Sequence, residues 1–145
     1  MEFVRLNDTW NAEPNMPNPC IKIIGADIKL SFLLNAFQYT QFGEGNIGIL
    51  WFHKCFQYRM GMPNDEGFYI YGQSRYKQYA VEWGHFYLVK DSDWEANFPE
   101  AKIVDSHISI ENLRHYLFYF RDETFETIAE RYSFQVVKTA EYPRF

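Results

Sequence analysis

The residues of this chain whose side chains are best suited to catalysis or metal binding are its four histidines and two cysteines. Their spacing matches neither the His-x-His nor the HExxH pattern of metal sites. His53 and Cys55 lie two positions apart in a strand-like segment, which would place them on one face, about 7 Å apart along the backbone. Such a pair could form a thiol–imidazole dyad. A polar strand face with a half-buried thiol explains the same spacing.

Acidic residues are paired at Asp65-Glu66, at Asp91 and Asp93, and at Asp122-Glu123. Glycoside hydrolysis needs two carboxylates that converge on one bond, about 5 to 9 Å apart. Neighbouring acids in turns point apart into water, so we interpret these pairs as solvated. The glycines between positions 43 and 48 lack the ending of a phosphate-binding loop, and no GxSxG elbow occurs. We therefore predict a non-catalytic protein with no metal and no cofactor.

Aromatic residues make up 20% of the 145 residues, with 14 Phe, 11 Tyr and 4 Trp. This apolar surface excludes an intrinsically disordered chain. The phenylalanines fit core positions of strands, whereas the tyrosines exceed what a core needs, because each buried hydroxyl requires a partner. Tyr and Trp are enriched at protein interfaces, although the same residues could simply cover sheet edges. We predict an aromatic and acidic partner-binding surface formed by Tyr76, Tyr79, Glu82, Asp91, Asp93 and Trp94.

The charge balance is acidic, with 14 Lys and Arg against 19 Asp and Glu and a net charge of -5. A chain without basic excess is not expected to bind nucleic acid by neutralising phosphates. The first residues lack the apolar stretch of a signal peptide, and no apolar run approaches the roughly 20 residues of a membrane span. We predict a cytoplasmic protein without a membrane partner. In that compartment Cys20 and Cys55 are expected as thiols, with a single disulfide as the alternative.

The elements that must position these residues are mainly strands, within one domain spanning residues 1–145. Residues 1–20 hold three prolines after position 13, which predicts an extended leader packed on the domain through Trp10. Apolar residues then alternate with polar ones, as in Ile28–Leu34, which is typical of a half-buried strand. Between Gly48 and Arg59 the alternation places His53, Cys55, Gln57 and Arg59 on one face.

The second half of the chain is less clearly patterned. Tyr76–Lys90 is predicted as one long strand with a bulge or bend at Gly84, and Asp91–Glu100 as an acidic connecting loop. Residues 123–132 fit a strand better, but their apolar residues also stand at helical spacing. In total we predict about seven to nine short strands in an antiparallel sandwich or strongly curved sheet, with at most one or two short helices.

Three stretches carry a resemblance to a known group of proteins. They are Trp10-Asn-Ala-Glu-Pro-Asn15, Asn64-Asp-Glu-Gly67 and Phe118-Tyr-Phe-Arg-Asp-Glu-Thr-Phe-Glu-Thr-Ile-Ala129. With them the chain resembles small bacterial proteins of about this length, some of which look like immunity proteins of polymorphic or contact-dependent toxin systems. The resemblance implies a cytoplasmic protein that neutralises a toxin domain by binding it, and it implies no site residues. An acidic inhibitor would complement a basic toxin.

Three functions are therefore open at the level of sequence. The first is a non-catalytic protein-binding domain of the immunity type, which acts by occluding a toxin. The second is a β domain that binds a small ligand or a glycan in a pocket lined by Tyr and Trp. The third is an enzyme built on His53 and Cys55, or on a cluster of histidine and carboxylate that spacing does not reveal. The oligomeric state is left open.

Overall fold

The computed structural model describes residues 1–64, 67–68, 76–79 and 81–138. Within them, eight strands form one antiparallel sheet. The strands are β1 (Glu2–Arg5), β2 (Cys20–Ile24), β3 (Asp27–Leu33), β4 (Ile47–Gly61), β5 (Phe86–Lys90), β6 (Lys102–Ile103), β7 (Arg114–Tyr119) and β8 (Thr124–Val137). Short helical segments include α1 (Trp94–Asn97) and the 3-10 turns Lys77–Tyr79 and Ile110–Asn112. The prediction of a mainly antiparallel β fold is confirmed.

The sheet has the strand order β1-β5-β7-β8-β4-β3-β2, and β6 pairs with one end of β4. Its centre is the long pair β4 and β8, which runs from Ile47 opposite Val137 to Gly61 opposite Thr124. The register of this pair shifts between Cys55 and Gln57. Lys54, just before the shift, has a φ of 53°, in the left-handed region. A bulge of this kind bends a strand and changes which side chains face the core.

The main core lies on one face of the sheet and is rich in aromatic rings. Trp10 is buried there and stacks on Phe134, with ring centroids 4.1 Å apart and planes at 9°. The backbone of the leader is held by hydrogen bonds from the Glu13 N–H to the Leu33 carbonyl and from the Leu33 N–H to the Pro17 carbonyl. The leader also contributes β1, which pairs with β5 at the sheet edge.

A second cluster covers the opposite face of β5 and β7, and it explains why one strand prediction is wrong. The segment 76–90 is not one strand, because β5 begins only at Phe86 and Gly84 turns the chain with a φ of 89°. Before this turn, Tyr76 and Val81 fold back onto the sheet and pack with Tyr87, Leu117 and Tyr119. Burial of this aromatic face outweighs the strand propensity of the segment.

Two further predictions are settled by the C-terminal half. Residues 124–137 form β8, so the strand interpretation of residues 123–132 is confirmed over helix from position 124. The predicted acidic loop Asp91–Glu100 contains the single turn of α1. The pair Asp65-Glu66 lies outside the described residues. None of the helices in the described ranges is long and apolar enough to cross a membrane.

Candidate functional site

The thiol–imidazole dyad of His53 and Cys55, which the sequence offered as an alternative to a polar strand face, does not form. The left-handed Lys54 turns Cys55 into the core, whereas His53 stays on the opposite, outer face. The Cys55 thiol donates a hydrogen bond to the Phe52 carbonyl oxygen, 3.3 Å away. Burial raises the pKa of this thiol to about 12, so the reactive thiolate is absent near neutral pH. Cys20 and Cys55 are both free, so the alternative of a disulfide is also excluded.

His53 lies instead in a polar cluster on the outer face of the sheet. Its Nδ1 is 3.5 Å from Asp27 Oδ2, and its Nε2 is 3.3 Å from Ser133 Oγ. Partial burial raises the pKa of Asp27, but hydrogen bonds from the Trp51 indole and the Lys54 N–H outweigh this effect and hold it below the usual value. Both contacts of His53 are long for strong hydrogen bonds. We interpret the arrangement as a stable surface cluster.

A more strongly connected group lies buried between β4, β7 and β8, and we call it the Glu126 cluster. It consists of Arg59, Tyr76, Ser92, His115 and Glu126. The Tyr76 hydroxyl and His115 Nε2 each lie 2.8 Å from Glu126 Oε1, and Arg59 Nη1 lies 3.1 Å from Oε2. Ser92 Oγ is 2.6 Å from His115 Nδ1. Glu126 itself is fully buried.

The hydrogen bonds of the Glu126 cluster join separate parts of the chain. Arg59 also donates to the carbonyl oxygen of Met62, while its Nε has no hydrogen-bond partner among the residues described. His115 Nε2 donates to the Glu126 carboxylate, and its Nδ1 shares a hydrogen bond with the Ser92 hydroxyl. The Glu126 carboxylate and the Arg59 guanidinium compensate each other, and the exposed Glu100 lies 3.7 Å from Arg59 Nη2. The cluster therefore fastens the segments around Met62, Tyr76 and Ser92 to the sheet.

Hydroxyl, imidazole and carboxylate in this order also form the arrangement that activates a serine nucleophile. Ser92 and His115 line a surface cavity of about 500 Å³ with Trp94 and Arg114. However, the Trp94 N–H donates to Ser92 Oγ at 3.2 Å, and Arg59 draws on the charge of Glu126. Both contacts reduce the nucleophilicity that the imidazole could give the hydroxyl.

The sequence reasoning missed the Glu126 cluster for a physical reason. Strand alternation assigns Glu126 to the outer, polar face of β8, directly opposite Arg59 of β4. That cross-strand pair of opposite charges is the one signal that could have been found. Its burial depends on Tyr76 and Ser92, which lie far from both strands in sequence. Nothing in the local pattern indicates that these segments fold over the pair.

The predicted partner-binding surface is brought together only in part. Tyr76, with 3% exposure, lies at the floor of an open depression of about 610 Å³ that Tyr79 and Asp93 also line. Trp94 is half-buried, packs on Phe56, and lines the neighbouring cavity beside Ser92. Glu82 lines neither cavity.

The carboxylates near this depression are available to a partner. Asp91, Asp93 and Glu95 are exposed, and none of them forms an ion pair within the described ranges. Asp93 accepts a hydrogen bond from the Asn97 side chain at 2.8 Å. Glu82 is also exposed but lies 3.4 Å from His85 Nε2. Burial and the nearby Arg5 nevertheless lower the pKa of His85, so Glu82 gains little from this contact near neutral pH.

No group of three His, Cys, Asp or Glu side chains in the described part of the chain is placed to hold a metal ion. The arrangement that remains is an acidic depression with aromatic walls, beside a buried polar cluster that holds its floor in place. No protein-family model, no curated protein and no solved structure matches this chain.

Proposed function

We propose that this chain is a non-catalytic protein-binding domain, an immunity-type inhibitor that neutralises a bacterial toxin domain in the cytoplasm by occluding it. The observation that supports this best is the open depression at Tyr79 and Asp93, with Asp91 and Glu95 exposed nearby. Aromatic side chains supply rigid contact area, and the unpaired carboxylates complement a basic surface. The immunity-type part of the proposal comes from the resemblance of residues 10–15, 64–67 and 118–129 to such proteins.

The depression is suited to occlusion because its floor does not need to reorganise. Tyr76 is fixed by its hydrogen bond to Glu126, and Phe3 packs on both Tyr76 and Tyr79, with ring centroids 5.1 and 5.3 Å away. A surface held in this way loses little conformational entropy when a partner binds. The acidic rim increases the rate of encounter with a basic toxin, which is the property that an inhibitor of a fast enzyme needs.

The test pairs the protein with the C-terminal domain encoded by the neighbouring upstream reading frame, which the proposal expects to be a toxin domain. Co-expression is expected to relieve growth inhibition, and the purified proteins are expected to form a stable complex. The variant Asp91→Asn/Asp93→Asn removes one charge from the depression and one from the neighbouring cavity beside Ser92, while asparagine tolerates the left-handed conformation at position 91. We expect association with the toxin to slow about tenfold and to lose much of its salt dependence.

The matched control is Glu111→Gln/Asp122→Asn, which removes two exposed carboxylates from other turns. It changes the net charge equally, so it separates a local rim effect from a general one. Persistent growth inhibition with no complex would refute the proposed function. Equal effects of the two double variants would refute the placement of the contact surface.

The same depression favours a second candidate, a domain that binds a glycan. Tyr79 and Phe98 offer ring surfaces, while Gln78, Asp93 and Asn97 offer hydrogen-bonding groups to sugar hydroxyls. Calorimetric titration with soluble oligosaccharides tests this candidate. Two results together would favour the glycan-binding domain over the inhibitor. The native protein would bind an oligosaccharide but not the toxin, and Tyr79→Ala would no longer bind the oligosaccharide.

The non-catalytic part of the proposal has its own test at Ser92. A fluorophosphonate probe labels activated serine nucleophiles, and we expect no labelling of the native protein. Labelling that disappears in Ser92→Ala and in His115→Gln would show that the hydroxyl is activated. It would then identify the protein as an enzyme.

A further inference from the structure

A second surface with binding character lies at the end of β3, away from the residues of the acidic depression. A cavity of about 620 Å³ opens there, and its apolar lining includes Met16, Leu33, Ala36, Phe37 and Phe42. We call it the Phe37 cavity. Phe37 is 98% exposed and Met16 is 63% exposed. Exposed apolar surface of this size beside a cavity is characteristic of an interaction site.

The turn that carries Phe37 is firmly held. The buried Asn35 accepts a hydrogen bond from the Gln38 N–H at its Oδ1, 3.0 Å away, and its own N–H donates to the Asn11 carbonyl at 2.9 Å. The Tyr39 N–H donates to the Asn35 carbonyl at 3.1 Å. The phenyl ring is therefore presented from a fixed backbone, and ordering this turn costs a partner little entropy.

The charge around the Phe37 cavity indicates what kind of partner fits it. Its lining, which lies wholly within the described residues, includes the carboxylates of Glu13 and Glu44 and no lysine or arginine. Glu13 accepts hydrogen bonds from the N–H groups of Asn15 and Met16, so its carboxylate is fixed at the rim. Arg121 donates to the Asn15 carbonyl on the same leader segment but does not line the cavity.

These carboxylates decide between two occupants. A second copy of this chain, docked by a two-fold axis, would bring two such linings into one interface, with the carboxylates of Glu13 and Glu44 from both copies and no lysine or arginine from either lining, and like charges across an interface are unfavourable. A cationic partner gains from the same groups. We propose that the Phe37 cavity binds an apolar side chain flanked by lysine or arginine on a basic protein. The proposal rests on the proposed function only in identifying that protein with the toxin domain.

The surface can be tested directly with three capped tripeptides and the full ¹⁵N-labelled chain. Acetyl-Lys-Phe-Lys-amide is expected to shift the amide signals of Leu33, Ala36 and Phe42, with a dissociation constant in the millimolar range. Acetyl-Glu-Phe-Glu-amide and acetyl-Lys-Ala-Lys-amide are expected to cause at most small shifts, because each lacks one of the two required properties. Shifts that are absent, or equal for the Lys-Phe-Lys and Glu-Phe-Glu peptides, would overturn the proposal.

Two variants localise the effect. Phe37→Ser removes the exposed ring and Ala36→Trp fills the cavity, and each should weaken binding of the Lys-Phe-Lys peptide about fivefold or more. The control Ile110→Ser removes an exposed apolar side chain from another turn and should leave binding unchanged. An equal loss in the control would overturn the assignment to this cavity. A native protein that sediments as a dimer, together with a Phe37→Ser variant that sediments as a monomer, would also overturn the proposal. The occupant of the Phe37 cavity would then be a second copy of this chain.

The results separate this proposal from the proposed function. The peptide titration needs no toxin, so it reports on the Phe37 cavity even if the neighbouring domain does not bind. Conversely, a toxin complex that is unaffected by Phe37→Ser and Ala36→Trp would leave the inhibitor function intact. It would place the Phe37 cavity outside the toxin contact and overturn the identification of its partner with the toxin.

Discussion

Replacing Glu126 with glutamine isolates the charge at the centre of the buried cluster. The substitution keeps the size and shape of the side chain, and the new amide oxygen can still accept from Tyr76 and His115. What disappears is the buried counter-charge of Arg59, whose side chain is only 7% exposed and whose Nη1 lies 3.1 Å from Glu126 Oε2, while the exposed Glu100, 3.7 Å from Nη2, remains. A buried charge that loses its partner costs about 3 to 5 kcal/mol. Because Glu100 still compensates part of the charge, we expect Glu126→Gln to lower the free energy of unfolding by up to this amount.

The magnitude is large for a domain of this size, because natural proteins are stable by only about 5 to 15 kcal/mol. Arg59→Met should cost a similar amount, since it leaves Glu126 buried without its guanidinium. The double variant Arg59→Met/Glu126→Gln removes both charges and should cost clearly less than the sum, with a coupling energy of about 1 to 3 kcal/mol. Tyr76→Phe removes one hydrogen bond to the carboxylate and should cost about 1.5 to 3 kcal/mol.

The assay is urea unfolding at pH 7 followed by tryptophan fluorescence, with the dependence on denaturant compared across the set. Glu111→Gln, an exposed carboxylate in a turn, is the control and should change stability by less than about 0.5 kcal/mol. A cost below about 1 kcal/mol for Glu126→Gln would refute the reasoning, because it would mean that the guanidinium does not depend on this carboxylate. Additive single effects would refute the coupling.

Three further predictions concern single sites. At pH 8 one thiol, that of Cys20, should react with a disulfide reagent in the native protein, and both thiols should react in urea, because burial raises the pKa of Cys55 to about 12. Rapid reaction of both thiols in the native protein would contradict this. Asp27→Asn should destabilise the protein at pH 7 but have little effect at about pH 2, because the pKa of folded Asp27 lies below its ordinary value of 3.8, so that its stabilisation is complete above that value and is lost progressively as the pH falls below it. Urea unfolding of the variant and the native protein at these two pH values checks this. Gly48→Ala should lower the free energy of unfolding by about 1 to 3 kcal/mol, because the new Cβ would lie 2.8 Å from a Phe32 ring carbon. In the control Gly43→Ala the new Cβ makes only ordinary van der Waals contacts, and equal melting temperatures of the two variants would contradict the clash.

The sheet was predictable from sequence where alternation is regular. In β3, Ile28, Leu30 and Phe32 alternate with more polar residues, and all three are buried in the main core. The packing of the leader through Trp10 was also predictable, because a Trp side chain contributes a large apolar area when it is buried. Local pattern is informative in these places because one face of the strand meets the core throughout its length.

Prediction failed where a single backbone conformation or a distant segment decides the outcome. Lys54 adopts a left-handed backbone conformation, which a lysine at that position does not indicate. This conformation moves Cys55 from the polar face of the strand into the core. The segment before Gly84 has strand-like residues but folds over β5 and β7. The Glu126 cluster depends on that folding, so its burial could not follow from strand periodicity.

The position of β8 in the chain has a consequence for how the protein is made. β8 pairs with both β4 and β7 at the centre of the sheet, yet it follows every other described strand in sequence. During translation, β4 leaves the ribosome before β8. The edge of β4 that pairs with β8 therefore stays without its backbone hydrogen bonds until Val137, which lies opposite Ile47, has been added. Contacts of such long sequence separation slow folding and leave strand edges exposed to other chains. A nascent chain that ends before Thr124 therefore lacks the strand that joins the two halves of the sheet, and its aromatic faces would be targets for chaperones.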